Sequence, residues 1–334
     1  MQFVRTKKLV FFNNKWGVGK TTLAYNAATK FAQAGYKTVL IDLDPQCNLS
    51  SLALGRFFLE ENLFSDQNIF GVLKGVIQGG SDINTRIPFQ QLSENLSILP
   101  GSLSLSKYED LLLTAYNAAA AGQELGYFQT SAISRFLREK GMDEDVDIFI
   151  IDVSPSLSVL NRVIFLGTDY FITPLMPDAF SLQGIENLGI TFEEWKKHWK
   201  NTAKASAMGI ASEKVLDGDP LFIGYIINAY GQYAKKPQKS HEDWISQIPG
   251  SVKTYLSEKH CRNGLVEKSY KNPLGVMKDY GELTADAQRY NKAIFDLISG
   301  TEHTAVQWVK ENREQSEKEF NTLSEHILHI LSAY

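Results

Sequence analysis

Eight consecutive residues, Lys15, Trp16, Gly17, Val18, Gly19, Lys20, Thr21 and Thr22, are of the types that hold a phosphate. Glycines let a loop curl until its backbone N–H groups converge on the anion, and a helix starting there adds the positive end of its dipole. Lys20 would set a full charge beside the β- and γ-phosphates of a nucleotide, and the Thr21 hydroxyl is of the kind that ligates Mg²⁺. The strict GxxxxGK[ST] pattern fails at its first position, which is Asn14. A second lysine, Lys15, stands five residues before Lys20. The chemistry predicted is binding of a nucleotide's phosphates.

Such a loop must lie between a strand and a helix, and the flanking pattern supplies both. Residues 9–12 read as a strand, 21–34 as a helix with Gly35 as its stop, and 37–41 as the next strand. Further continuous apolar runs fall at 148–151, 170–173 and 221–227. Short apolar strands separated by helices predict an α/β fold, a mainly parallel β-sheet with helices on both faces. Three stretches depart from this. Residues 56–95 carry Gly71, Gly75, Gly79 and Gly80, expected to break any long helix. Residues 228–280 hold nine Lys/Arg against five acids. Residues 302–331 read as a long helix with apolar positions at Val306, Val309, Phe320, Leu323, Ile327 and Leu331 and a polar middle. The economical organisation is one domain over residues 1–300, with insertions near 56–95 and 228–280, and a C-terminal helical tail over 301–334.

The 334 residues are 43% hydrophobic and 22% charged, which excludes disorder as the overall state. A net charge of -4 does not indicate a constitutively basic nucleic-acid binder, although a local basic face is compatible with it. Cys47 and Cys261 cannot build a disulfide scaffold or a Cys/His metal site. No signal peptide and no run near the roughly 18 apolar residues needed to span a bilayer are present. A cytoplasmic protein is expected.

The segment KxGVGKTT resembles the deviant Walker A motif of the ParA/MinD/Soj ATPases, dimerising P-loop NTPases. The resemblance continues at residues 42–48 (DLDPQCN), similar to the family's DxDPQxN, and at 150–156 (IIDVSPS), similar to its IIDxPPS Walker B stretch. Residues 95–102 and 174–184 also fit family positions, so that it covers about 7–230 well and 270–300 loosely. One departure is Trp16, where the family has glycine.

The resemblance implies ATP and Mg²⁺ as ligands and hydrolysis as the reaction. Asp44 matches the carboxylate that orients the attacking water. Asp152, ending a buried strand, reaches the metal, with a helix N-cap as the plain alternative. Asp42 faces the same side as Asp44 on an extended strand and serves either the metal's outer sphere or the support of its loop. Lys15 is assigned to the partner subunit's nucleotide in a homodimer formed on ATP binding; the plain alternative is a solvated lysine. Asn228, following the strand at 221–227, stands where related ATPases meet adenine, and it is equally a turn former.

Two classes of function follow from the resemblance. In one, a ParB-like or other stimulating partner triggers hydrolysis in a dimer that binds DNA non-specifically, for partitioning or positioning of cargo, which places the protein on the nucleoid. Lys235, Lys236, Lys239, Lys253, Lys259, Arg262, Lys268 and Lys271 are then the DNA-binding candidates, against a solvated insertion as the alternative. In the other, the ATPase is a switch subunit that regulates a protein assembly. A MinD-like membrane cycle is disfavoured, because the apolar tail end at 327–331 lacks flanking Lys/Arg. His326 and His329, three apart on the tail, read as a solvated face rather than a metal site.

Overall fold

Apolar runs bounded by turns become strands of one eight-stranded sheet in the computed structural model, which describes residues 3–56, 60, 65–230, 239–262, 264–297 and 306–333. The first half of the chain runs β1 (Lys7–Phe11), α1 (Lys20–Gln33), β2 (Thr38–Leu43), α2 (Asn48–Leu54), α3 (Ile69–Gln78), β3 (Gln90–Ser93), β4 (Leu96–Leu99), α4 (Ser106–Ala120), α5 (Glu124–Thr130) and α6 (Ala132–Asp143). The second half runs β5 (Ile148–Val153), α7 (Val159–Gly167), β6 (Tyr170–Leu175), α8 (Ala179–Trp199), β7 (Leu221–Tyr230), α9 (Lys239–Val252), α10 (Val266–Lys271), β8 (Gly275–Lys278), α11 (Glu282–Tyr290) and α12 (Val306–Ala333).

The sheet order is β3-β4-β2-β5-β1-β6-β7-β8, parallel throughout except for the β3–β4 pair. The period of two along each strand divides its apolar residues between two cores. Leu9, Leu40, Ile148 and Ile150 face a layer that includes Leu23, Ala27 and Phe31 of α1 and Leu323 and Ile327 of α12. Val10, Val39, Ile41, Phe149 and Ile151 face the other, with Tyr108, Phe136, Phe165 and Phe192 from α4, α6, α7 and α8. Both faces are covered, which is why these strands are apolar on both sides.

Two expectations need correction. Of the glycines expected to break a long helix, Gly79 ends α3 after ten residues from the left-handed region, whereas Gly71 and Gly75 lie inside it. A Cβ at Gly71 would strike the Asp66 carbonyl and one at Gly75 the Ser81 side chain, so the glycines let α3 pack tightly on its flanking loops. Asn228 lies within β7 rather than after its end, because the strand continues until Tyr230 pairs with Lys278 of β8.

The register places the chemistry. β2 and β5 run side by side with Asp42 opposite Asp152, and Phe11 of β1 lies on the other side of Asp152. The carboxyl ends of the central strands therefore converge where the loop after β1 begins, as is usual for ligand sites in open α/β sheets.

Candidate nucleotide site

The chain leaves β1 through Phe12 and turns at Asn13. Asn13 is buried; its Nδ2 donates to the Pro174 carbonyl at 2.7 Å and its Oδ1 accepts the Lys15 N–H at 2.8 Å. This residue ties the loop to the end of β6, and the sequence pattern did not single it out. Gly19 then caps α1 in the left-handed region at φ 80, ψ 22, a conformation that costs a residue with a Cβ about 1–2 kcal/mol. A Cβ there would also strike the carboxamide of Asn228, whose Nδ2 donates to the Val18 carbonyl at 2.8 Å. Asn228 thus touches the loop itself.

Lys20 is buried beside Asp152 and Asp44, with Nζ 3.5 Å from the Lys15 carbonyl. Burial lowers its pKa, and the two carboxylates work against that shift. The Thr21 hydroxyl donates to Asp152 Oδ2 at 2.7 Å, while Asp152 Oδ1 is buried without a hydrogen-bond partner among the described residues. Burial, then the neighbouring Asp42, push the Asp152 carboxyl up to about 7. A carboxylate in that position gains from a nearby cation.

Asp42 has a different environment. Its Oδ2 accepts both the N–H and the hydroxyl of Ser50, at 2.8 and 2.6 Å, and its Oδ1 accepts the Asp44 N–H at 3.2 Å. Ser50 Oγ in turn accepts the Gly101 N–H at 2.8 Å. Of the two roles open to Asp42, this network favours loop support over the metal. Asp44 is buried with Oδ1 accepting the Gln46 N–H at 2.9 Å, and burial raises its pKa against that bond and the charge of Lys20.

Lys15 is ion-paired within the chain to Asp178, the residue that caps α8 by accepting the Ser181 N–H at 2.9 Å. Burial raises the Asp178 pKa, but the hydrogen bonds from Lys15 and Ser181 outweigh it, and the net shift is downward. Trp16 projects into solvent, 62% exposed, and Phe180, whose ring centroid is 5.9 Å from the Lys15 ammonium, is 74% exposed.

A cavity of about 450 Å³ opens on Gly17, Gly19, Thr22 and Asn228 and extends to Met277, Lys278, Tyr280 and Phe320. This far wall comes from β8, the turn after it and α12, none of which the motifs identified. The described DNA-binding candidates do not line this cavity. Lys235 and Lys236 fall outside the described residues, as does the side chain of Lys239. Lys253, Lys259 and Lys271 form ion pairs with Glu258, Glu193 and Glu267, whereas Arg262 and Lys268 have no ion-pair partner among the described residues. Among the described residues no helix is long and apolar enough to cross a membrane, and no cluster of three or more His, Cys, Asp or Glu could hold a metal by itself.

Comparison with known proteins adds the family. The family AAA_31, described as an AAA domain, matches residues 6–205. An uncharacterized protein of Methanocaldococcus jannaschii is 32% identical over 71% of this chain and 78% of its own. The chromosome-partitioning ATPase Soj of Treponema pallidum is also 32% identical, over 54% of this chain and 60% of its own. Among solved structures, protein DIP2308 from Corynebacterium diphtheriae matches with a TM-score of 0.70 at 25% identity, covering 85% of this chain and 97% of that one. With the matched region spanning more than half of its length, the chain belongs to this AAA-domain family, among the P-loop ATPases of the ParA/MinD/Soj type.

Proposed function

We propose that this chain binds ATP with Mg²⁺ and hydrolyses it in a sandwich dimer, and that the cycle serves DNA partition or the positioning of a cargo. The observation that carries the reading is the gathering of Lys20, Thr21, Asp44 and Asp152 around one glycine turn, with a buried Asp152 oxygen that has no donor among the described residues. The hard-oxygen pair of Thr21 and Asp152 suits Mg²⁺. When bound, the ion supplies neutralisation of charge on the β- and γ-phosphates. In this reading Lys20 would hold the phosphates, and Asp44, which accepts the Gln46 N–H, would orient a water. Lys15 acting on the partner's nucleotide requires its pair with Asp178 to open, which would make hydrolysis depend on dimer formation.

The test is the ATPase rate and the oligomeric state, with and without DNA, for wild type, Lys15→Ala and Asp44→Ala. Both variants should lose turnover, Asp44→Ala while still dimerising with ATP. Turnover unchanged in both would refute the assignment. Trp16, standing where the motif it resembles has glycine, is read as altering the dimer and not preventing it. An ATP-loaded wild type that sediments as a monomer while Trp16→Gly dimerises would overturn this.

A second reading, a switch subunit that regulates a protein assembly without acting on DNA, is favoured by one observation. Lys253, Lys259 and Lys271 are already engaged by carboxylates, which lowers the positive charge on offer to a polyanion. ATP-dependent DNA binding that falls steeply with salt supports partition; its absence supports the switch.

A further inference from the structure

The polar middle of α12 is unusual for a helix that packs on a core. Val309 precedes it and Leu323, Ile327 and Leu331 follow it, all buried, yet Asn312 and Ser316 are buried between them. Polar groups on a packing face stabilise no more than apolar groups of the same shape, and their best-attested use is to specify position. Their partners here are particular. Glu319 Oε2 accepts the Lys278 backbone N–H at 3.0 Å and the Tyr280 hydroxyl at 2.6 Å, and Asn312 Oδ1 accepts the Lys278 ammonium at 2.8 Å.

Lys278 and Tyr280 line the cavity that opens on the glycine loop, and Phe320, the residue after Glu319, lines it as well. The same helix also touches α1 and the segment at 294–296. Glu317 pairs with Lys30 of α1 at 3.4 Å, and Phe320 packs against Phe295 with ring centroids 5.8 Å apart. One helix therefore bridges α1, which begins in the phosphate loop, and the segment that forms the cavity's far wall.

We propose that Glu319 is a positioning residue for the base end of a bound nucleotide: by holding Lys278 and Tyr280 it sets the wall on which the base rests, so that docking of α12 and nucleotide binding are linked. The inference rests on the proposed nucleotide binding and takes this cavity, open on Gly17, Gly19 and Thr22 of the phosphate loop, as its site. Linkage is reciprocal, so a ligand that uses the wall tightens α12 on the body, and one that uses the phosphate loop alone does not.

Calorimetric titration with Mg-ATP and with inorganic tripolyphosphate separates the two ends of the site. Glu319→Ala and Tyr280→Phe should weaken ATP binding by about 5- to 50-fold, in the usual range of coupling between sites, and leave tripolyphosphate affinity unchanged. Glu325→Gln, an exposed change on the same helix, should alter neither. In the wild type, hydrogen exchange across residues 306–333 should slow with ATP and not with tripolyphosphate. If Glu319→Ala fails to fold, Tyr280→Phe, which removes a single hydroxyl, carries the same test. Equal ATP affinity in wild type and variants would overturn the inference, as would parallel loss of both ligands. A wild type that binds ATP no better than tripolyphosphate would instead sink the reading of the cavity on which it rests.

Discussion

Gly19 offers a quantitative check on how the loop is held. Its φ of 80 costs alanine about 1–2 kcal/mol. The new Cβ also collides with Asn228, displacing a carboxamide that donates to Val18 at 2.8 Å, a bond worth about 1 kcal/mol. Gly19→Ala should therefore destabilise the nucleotide-free protein by about 2–3 kcal/mol. Asn228→Ala alone should cost about 1 kcal/mol. In the double variant the collision is gone, so adding Gly19→Ala to Asn228→Ala should cost only the backbone strain of about 1–2 kcal/mol. The cycle is then non-additive by about 1 kcal/mol. Urea unfolding of the four proteins, followed by far-ultraviolet circular dichroism at constant m, measures each corner. Additivity within about 0.3 kcal/mol would refute the reasoning, because it would mean that Asn228 does not press on the loop.

Other consequences are open to direct measurement. Asp178→Ala should lose the α8 cap and about 1 kcal/mol, whereas Asp178→Asn keeps a capping oxygen while breaking the Lys15 pair and should change stability by under about 0.5 kcal/mol in the same unfolding assay. Asp152→Asn should remove the Mg²⁺ dependence of ATP affinity, so that titrations with Mg²⁺ and with EDTA coincide. His260 is packed against Phe171 and Phe192, and burial, followed by the charge of Lys196, lowers its pKa to about 4 from 6.5. The unfolded chain takes up this proton as pH falls below 6.5 and the folded chain does not, so stability is complete above that pH and declines toward pH 4. By pH 5 the loss is about 2 kcal/mol, and His260→Gln should flatten that part of the wild-type stability profile measured between pH 7 and pH 5.

What the sequence made legible was whatever lies close together along it. Residues 15–22 declare a phosphate loop because its groups are contiguous, and the central strands declare themselves because burial on both faces gives each a continuous apolar run. The pairing of Asp42 with Asp152 was hidden, since 110 residues separate two carboxylates that register places side by side. The resemblance left Asp42 open between the metal's outer sphere and support of its loop, and the hydrogen bonds through Ser50 to Gly101 favour support. Gly71 and Gly75 misled because a glycine's helix-breaking tendency is weak beside the packing that a missing side chain allows. The far wall of the cavity carries no motif, and its residues come from β8 and a helix more than 300 residues from the start of the chain.

The projection of Trp16 into solvent has an optical consequence. Of the five tryptophans, Trp195 and Trp199 are buried and Trp244 and Trp308 are partly covered, whereas Trp16 is 62% exposed at the lip of the phosphate loop. A dissolved quencher such as iodide will reach Trp16 before the others, and its emission will sit at the red edge of the protein's spectrum. The chain thus carries an intrinsic fluorophore at the place where ligand and partner would arrive, and loop occupancy can be followed in real time without attaching a dye.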